Sequence, residues 1–184
     1  DPYGNYSQSG VEVSAKPADP PAWSYATGAT TLAPPGLAPN DVVITGSNDN
    51  KIHGMNTSDG TSSFTAFSTG GAIQGRPSVI PAAYSTSGVD IAYVTSQDGK
   101  VYALNTNTGA QVWQSPALAP TNMLQGAAAV WLQAAKALTV CGATTDLVFV
   151  GTRDTGSTTA NKIYALNGGN TNVTLGLARS GELV

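Results

Sequence analysis

The chain has 184 residues, of which only 10% are Asp, Glu, Lys or Arg, and its formal net charge is -3. So sparse and slightly acidic a surface offers no basic patch to a nucleic acid or an anionic membrane, and no run of 18 apolar residues is present to span a bilayer. The 21 glycines and 11 prolines, with Ser, Thr and Asn at most polar positions, argue against long charged helices and for many short strands joined by tight turns.

The first segment, residues 1–19, is polar and shows no apolar period, so it is expected to be a loosely ordered tail or one pinned against a partner. It opens on Asp1 with no Met and no basic-then-apolar leader, which suits a processed exported protein or a piece of a longer chain. The expected location is secreted, periplasmic or cell-surface. Three N-x-S/T sequons begin at Asn5, Asn56 and Asn172; Asn56 falls in the repeated pattern described next, which leaves Asn5 as the candidate for glycosylation.

From residue 20 onward the chain repeats itself. "DVVITGSNDNKIHGMNTSDG" from Asp41 and "DIAYVTSQDGKVYALNTNTG" from Asp90 align at a spacing of 49, pairing Lys51 with Lys100, Asn56 with Asn105 and Gly60 with Gly109. A third copy, "DLVFVGTRD…NKIYALN", starts at Asp146. Its halves lie 56 and 62 residues after those of the second copy, which puts six extra residues into the loop 153–161. Upstream of two of these copies, "AIQGRPSVI" (72–80) matches "LQGAAAVW" (124–131) at a spacing of 51. The predicted units are 29–67, 71–117 and 122–178, within one repeat domain of residues 20–184.

In the middle unit, strands are predicted near 73–80, 90–96, 100–105 and 110–116. Asp98-Gly99 supplies the positive φ values that a two-residue hairpin turn needs, and Asn50 and Asn161 stand in the place of Gly99. Val101 and Ala103 point to one face of their strand and Tyr102 and Leu104 to the other, so both faces are expected to be covered. Four-stranded sheets covered on both faces and repeating about every fifty residues describe blades of a β-propeller, ahead of a β-sandwich or a solenoid. The fold class is thus all-β: a propeller segment of about three blades. A ring takes about four to eight, so the segment forms an incomplete ring. The remaining blades, or other protein chains, are its expected partners.

The stretch "ALNTNTGAQVW", residues 103–113, resembles the A-x-D-x-x-T-G-x-x-x-W motif of the PQQ-like (quinoprotein-like) β-propeller repeat family. Ala103, Thr108, Gly109 and Trp113 match, and Asn105 replaces the usual Asp. The resemblance implies that these residues, Trp113 foremost, dock one blade onto the next. Unit 1 keeps Gly60 and has Phe64 in the aromatic place; unit 3 has Thr171 and Leu175 for the glycine and the tryptophan. Trp23, in "PPAWSYATG", resembles the Trp113 neighbourhood and is read as part of a fourth strand without its own first three.

Residues able to do chemistry are few. His53 is the only histidine and stands where Tyr102 and Tyr164 stand, so it is read as a ring in an aromatic slot. Asp49, Asp98 and Asp154 are read as turn residues. Cys141, the only cysteine, permits no internal disulfide, and is read as a buried small residue or a thiol bridging to another chain. There is no G-x-S-x-G, H-E-x-x-H or P-loop. The expected function is therefore an exported, non-catalytic scaffold with no cofactor. Two alternatives are a fragment of a PQQ-dependent dehydrogenase, for which the family pattern implies PQQ, Ca²⁺ and an adjacent Cys pair, and a carbohydrate-binding propeller, which needs exposed stacking aromatics.

Overall fold

In the computed structural model, residues 21–85, 87–119, 124–132, 146–153 and 161–168 are described. All regular structure among them is β. Strands β1 (Gly36–Ala38), β2 (Val42–Gly46), β3 (Lys51–Asn56) and β4 (Phe67–Ser68) form an antiparallel sheet in that order, blade 1. Blade 2 repeats the arrangement with β5 (Ser78–Ile80), β6 (Ile91–Thr95), β7 (Val101–Asn105) and β8 (Gln111–Gln114). Blade 3 contributes β9 (Ala129–Trp131), β10 (Leu147–Gly151) and β11 (Ile163–Asn167), in the order β11-β10-β9. This is a β-propeller segment, and the described residues do not close a ring.

Blades 1 and 2 meander through short, chemically equipped turns between their second and third strands. Asn50 (φ 66°) and Gly99 (φ 86°) carry the left-handed residue of the β2–β3 and β6–β7 hairpins. The registers correspond, with Thr45 opposite His53 in blade 1 and Val94 opposite Tyr102 in blade 2.

The expected strand at 73–80 is shorter in the fold, since only Ser78–Ile80 pairs with β6. The reason lies in what precedes it. The Ile73 amide donates to the Ser47 carbonyl of blade 1 at 3.1 Å, and a Cβ on Gly46 would stand 2.0 Å from Ile73. Residues 71–75 therefore run across the neighbouring blade before the chain joins its own sheet.

The core lies between blades, as the two-faced apolar strands require. Val42, Ile44, Ile52 and Phe64 of blade 1 pack with Ile73, Ala92, Val94 and Leu104. On the other side of blade 2, Ile91, Tyr93, Val101, Ala103 and Trp113 pack with Leu124, Ala128, Val148, Val150 and Leu166. Every residue of β6 is buried, because alternate side chains serve different interfaces.

Candidate functional site

Two kinds of joint recur between successive units. In the first, an aromatic ring from one unit lies on a glycine turn of the next. The Trp23 ring covers Gly60 and the Phe64 ring covers Gly109, so a Cβ on either glycine would meet ring carbon at 2.6 or 2.3 Å. Both glycines have positive φ, 72° and 70°, so the turn requires glycine for its backbone as well as for the space. Trp23 Nε1 donates to the Thr57 carbonyl at 2.8 Å, and Trp113 Nε1 donates to the Gly168 carbonyl at 3.0 Å. Thr57, Thr106 and Gly168 are equivalent in the repeat. Phe64 has no donor, and the Thr106 carbonyl accepts instead from Asn40 Nδ2 at 3.3 Å.

Ala103 is buried and pairs with Trp113 across the β7–β8 ladder. In the same place of blade 1, Gly54 lies under the Phe64 ring. Thr108 is exposed, and its hydroxyl accepts from the Ala110 amide at 3.2 Å within its own turn. Asn105 Oδ1 accepts from the Asn107 and Thr108 amides at 2.8 and 3.3 Å, the local turn bonds of an Asx side chain.

The second joint is a polar clasp. Asp49 Oδ1 accepts from the Lys51 amide at 2.9 Å, the local turn bond expected of it, while Oδ2 accepts from the Gly28 amide at 2.9 Å. Asp98 does the same with the Lys100 amide at 3.0 Å and the Gly70 amide at 2.9 Å. Ser47 and Ser96 hydroxyls donate to the Ala29 and Gly71 carbonyls at 3.2 and 3.1 Å. The Asn48 and Gln97 amides donate to the Thr30 and Ala72 carbonyls at 3.0 and 2.8 Å. The turns of blades 1 and 2 thus grip the segments that lead into those blades.

A ring four residues on completes each clasp. His53 Nε2 lies 2.9 Å from Asp49 Oδ2, and the Tyr25 hydroxyl lies 3.2 Å from His53 Nδ1. In blade 2 the Tyr102 hydroxyl donates to Asp98 Oδ2 at 2.5 Å. Burial raises the pKa of Asp49, but the Gly28 amide, His53 and the Lys51 amide outweigh it and hold the carboxyl below its usual value. Burial, then the Asp98 bond and charge, push the Tyr102 phenol up. The reach of Asp49 and Asp98 to the segment that precedes their blade is missed when they are read as turn residues alone. The signal is present in the sequence as an Asp followed at i+4 by a ring, at 49/53 and again at 98/102.

At the inner ends of the blades, β1, β5 and β9 border an open groove of about 290 Å³ lined by Leu37, Arg76, Ser78, Val79, Ile80 and Val130, among others. Among the described residues, no three His, Cys, Asp or Glu side chains gather as a metal ion would need, and no helix is long and apolar enough to cross a membrane. Asn5, Cys141, Asp154, Thr171 and Leu175, with the tail 1–19, lie outside the described residues.

The profile of a family described as "Outer membrane protein assembly factor BamB" matches residues 16–171. No curated protein sequence matches at a significant level. Among solved structures, BamB from Moraxella catarrhalis is similar with a TM-score of 0.54 and 16% identity, over 83% of this chain and 38% of that one. The computationally designed Ika4 protein is similar with a TM-score of 0.59 and 13% identity, over 88% of this chain and 81% of that one. The quinohemoprotein alcohol dehydrogenase ADHIIG from Pseudomonas putida HK5 gives 0.55 and 16%, over 82% of this chain and 21% of the enzyme. The chain thus spans well under half the length of the BamB structure, and at these identities the likeness is one of fold.

Proposed function

The chain belongs to the family of PQQ-like propeller repeats whose profile is described by BamB, and we propose that it is an exported, non-catalytic scaffold that assembles with further blades or other protein chains. One observation carries the reading: the side chains most suited to chemistry are engaged in structural bonds that tie each of blades 1 and 2 to the segment leading into it. Asp49 and Asp98 each accept two amide bonds and face a ring donor, and His53 lies between Asp49 and Tyr25. The same arrangement occurs in two successive blades, whereas a catalytic constellation is normally single.

Two features of this chain speak for the reading without PQQ and Ca²⁺. The chain has one cysteine, so it lacks the adjacent pair of the family pattern, and the carboxylates at 49 and 98 belong to separate blades with their oxygens already occupied. A sugar-stacking platform finds little support either: among the described residues the exposed large apolar side chains are Leu32, Leu37, Tyr84 and Ile163, one aromatic among them.

The test incubates the protein purified from its source with PQQ, CaCl₂ and primary alcohols. No alcohol-dependent reduction of an electron-accepting dye is expected, and a native mass above the 18.6 kDa of this chain is expected in the same preparation. Dye reduction overturns the non-catalytic reading; a well-folded 18.6 kDa monomer overturns the assembly reading.

A further inference from the structure

The clasp of blade 1 departs from that of blade 2 at two places at once. His53 stands where Tyr102 stands, and Tyr25, two residues after Trp23, stands where Ala66 and Ser115 follow Phe64 and Trp113. In blade 2 a single phenol completes the clasp, with the Tyr102 hydroxyl donating straight to Asp98 Oδ2. Blade 1 fills the same place with an imidazole and a phenol, in the series Ser62, Tyr25, His53, Asp49 with steps of 3.2, 3.2 and 2.9 Å. A clasp needs only one ring, as blade 2 shows.

The protons of this series are fixed from its buried end. The Asp49 carboxyl is held below its usual value and acts as an acceptor only, so His53 Nε2 carries the proton between them. In the neutral imidazole Nδ1 then presents a lone pair, and the Tyr25 hydroxyl donates to it. Ser62 is exposed, and its hydroxyl donates in turn to the Tyr25 oxygen. Among the described tyrosines, Tyr25 is the one whose phenol faces a nitrogen base. Tyr93 and Tyr164 donate to the Gly168 and Leu118 carbonyls, which take up no proton. Tyr102 donates to a carboxylate already occupied by the Gly70 and Lys100 amides.

Such a base bears on one-electron chemistry. A phenol that loses an electron becomes a far stronger acid, and the loss is eased when its proton passes in the same step to a base already hydrogen-bonded to it. We propose that Tyr25 is a one-electron oxidation site, at which the phenol passes an electron to a metal-centred, outer-sphere oxidant and its proton to His53 Nδ1. The products are a neutral phenoxyl radical, an imidazolium held by the Asp49 carboxylate and the oxidant reduced by one electron. The radical oxygen then accepts from His53 Nδ1 and Ser62 Oγ, so both states keep every hydrogen bond with the same partners. Tyr25 is only half-buried, within reach of an oxidant at the surface. Return of an electron draws the proton back to the phenol and restores the clasp. The site lies wholly in blade 1 and the segment that leads into it, and it holds whether or not the chain assembles with others.

Flash photolysis of the full chain with tris(bipyridine)ruthenium and persulfate tests this, with the phenoxyl absorbance followed in time. A fast phase is expected that is lost in Tyr25→Phe, is kept in Tyr84→Phe and slows in deuterium oxide. His53→Gln is expected to slow that phase at least about tenfold, and added imidazole to restore part of it. A purely structural role for His53 would give no isotope effect and no response to imidazole. A fast phase that survives Tyr25→Phe, equal rates of the parent protein in light and heavy water, or an undiminished rate in folded His53→Gln each overturns the proposal. Where the glutamine variant fails to fold, the isotope effect in the parent and the loss in Tyr25→Phe decide.

Discussion

The joints between blades 1 and 2 and between blades 2 and 3 are built alike from different residues. At the second, Trp113 fills the interface and donates to the Gly168 carbonyl at 3.0 Å, a carbonyl that also accepts from the Tyr93 hydroxyl at 3.0 Å. At the first, Phe64 fills the interface and Asn40 donates to the Thr106 carbonyl, with the Thr106 hydroxyl reaching Asn40 Oδ1 at 3.4 Å. The difference teaches that the repeat preserves a requirement rather than a residue. A backbone carbonyl covered by a neighbouring blade needs a donor, and when the ring loses its N–H another side chain supplies one.

The largest way to break this parallel is Trp113→Ala. It removes both functions and is expected to cost about 3–5 kcal/mol in urea unfolding. Gly109→Ala should follow at about 2–4 kcal/mol, combining a left-handed residue with a methyl driven into the Phe64 ring. Gly88→Ala separates the two effects. Gly88 shares the positive φ (71°) but has open space around it, so only the backbone penalty of about 1–2 kcal/mol is expected.

The donor itself is tested on a smaller scale. Asn40→Ala is expected to lower stability by about 1 kcal/mol, comparable to the loss of one hydrogen bond. Adding Phe64→Trp should recover part of that loss, because an indole can supply the missing donor. Strictly additive effects in the double-mutant cycle would mean that Asn40 and the ring do not share a task.

The smallest effect is the response of the clasp to acid. The folded pKa of Asp49 lies below its ordinary 3.8, so its stabilising contribution is present above that value and is lost as pH falls through the folded value. Unfolding midpoints followed from pH 5 to pH 2 should therefore fall less steeply in Asp49→Asn than in the parent. Equal slopes would mean that the carboxylate does not hold residues 28–30 in solution.

The sequence by itself determined the blades. Spacings of 49 and 51, the turn pairs Asn50 and Gly99, and the apolar two-faced strand 101–104 are local or periodic signals, and they were enough to place the second and third strands of blades 1 and 2, the turns between them and the fold class. Equivalence across the repeat also located the ring positions at Trp23, Phe64 and Trp113. What each residue touches in another unit was decided only by the tertiary structure. Asn40 and Thr106 are 66 residues apart, Asp98 and Gly70 are 28 apart, and Ile73 leaves its own sheet to lie on Gly46. Such contacts arise because a blade covered on both faces must satisfy its buried polar groups from its neighbours, and the choice of neighbour depends on how the sheets stack. Ile163 matches Ile52 and Val101 in residue type and place, yet it is 71% exposed where they are buried, a difference that no residue type could have announced.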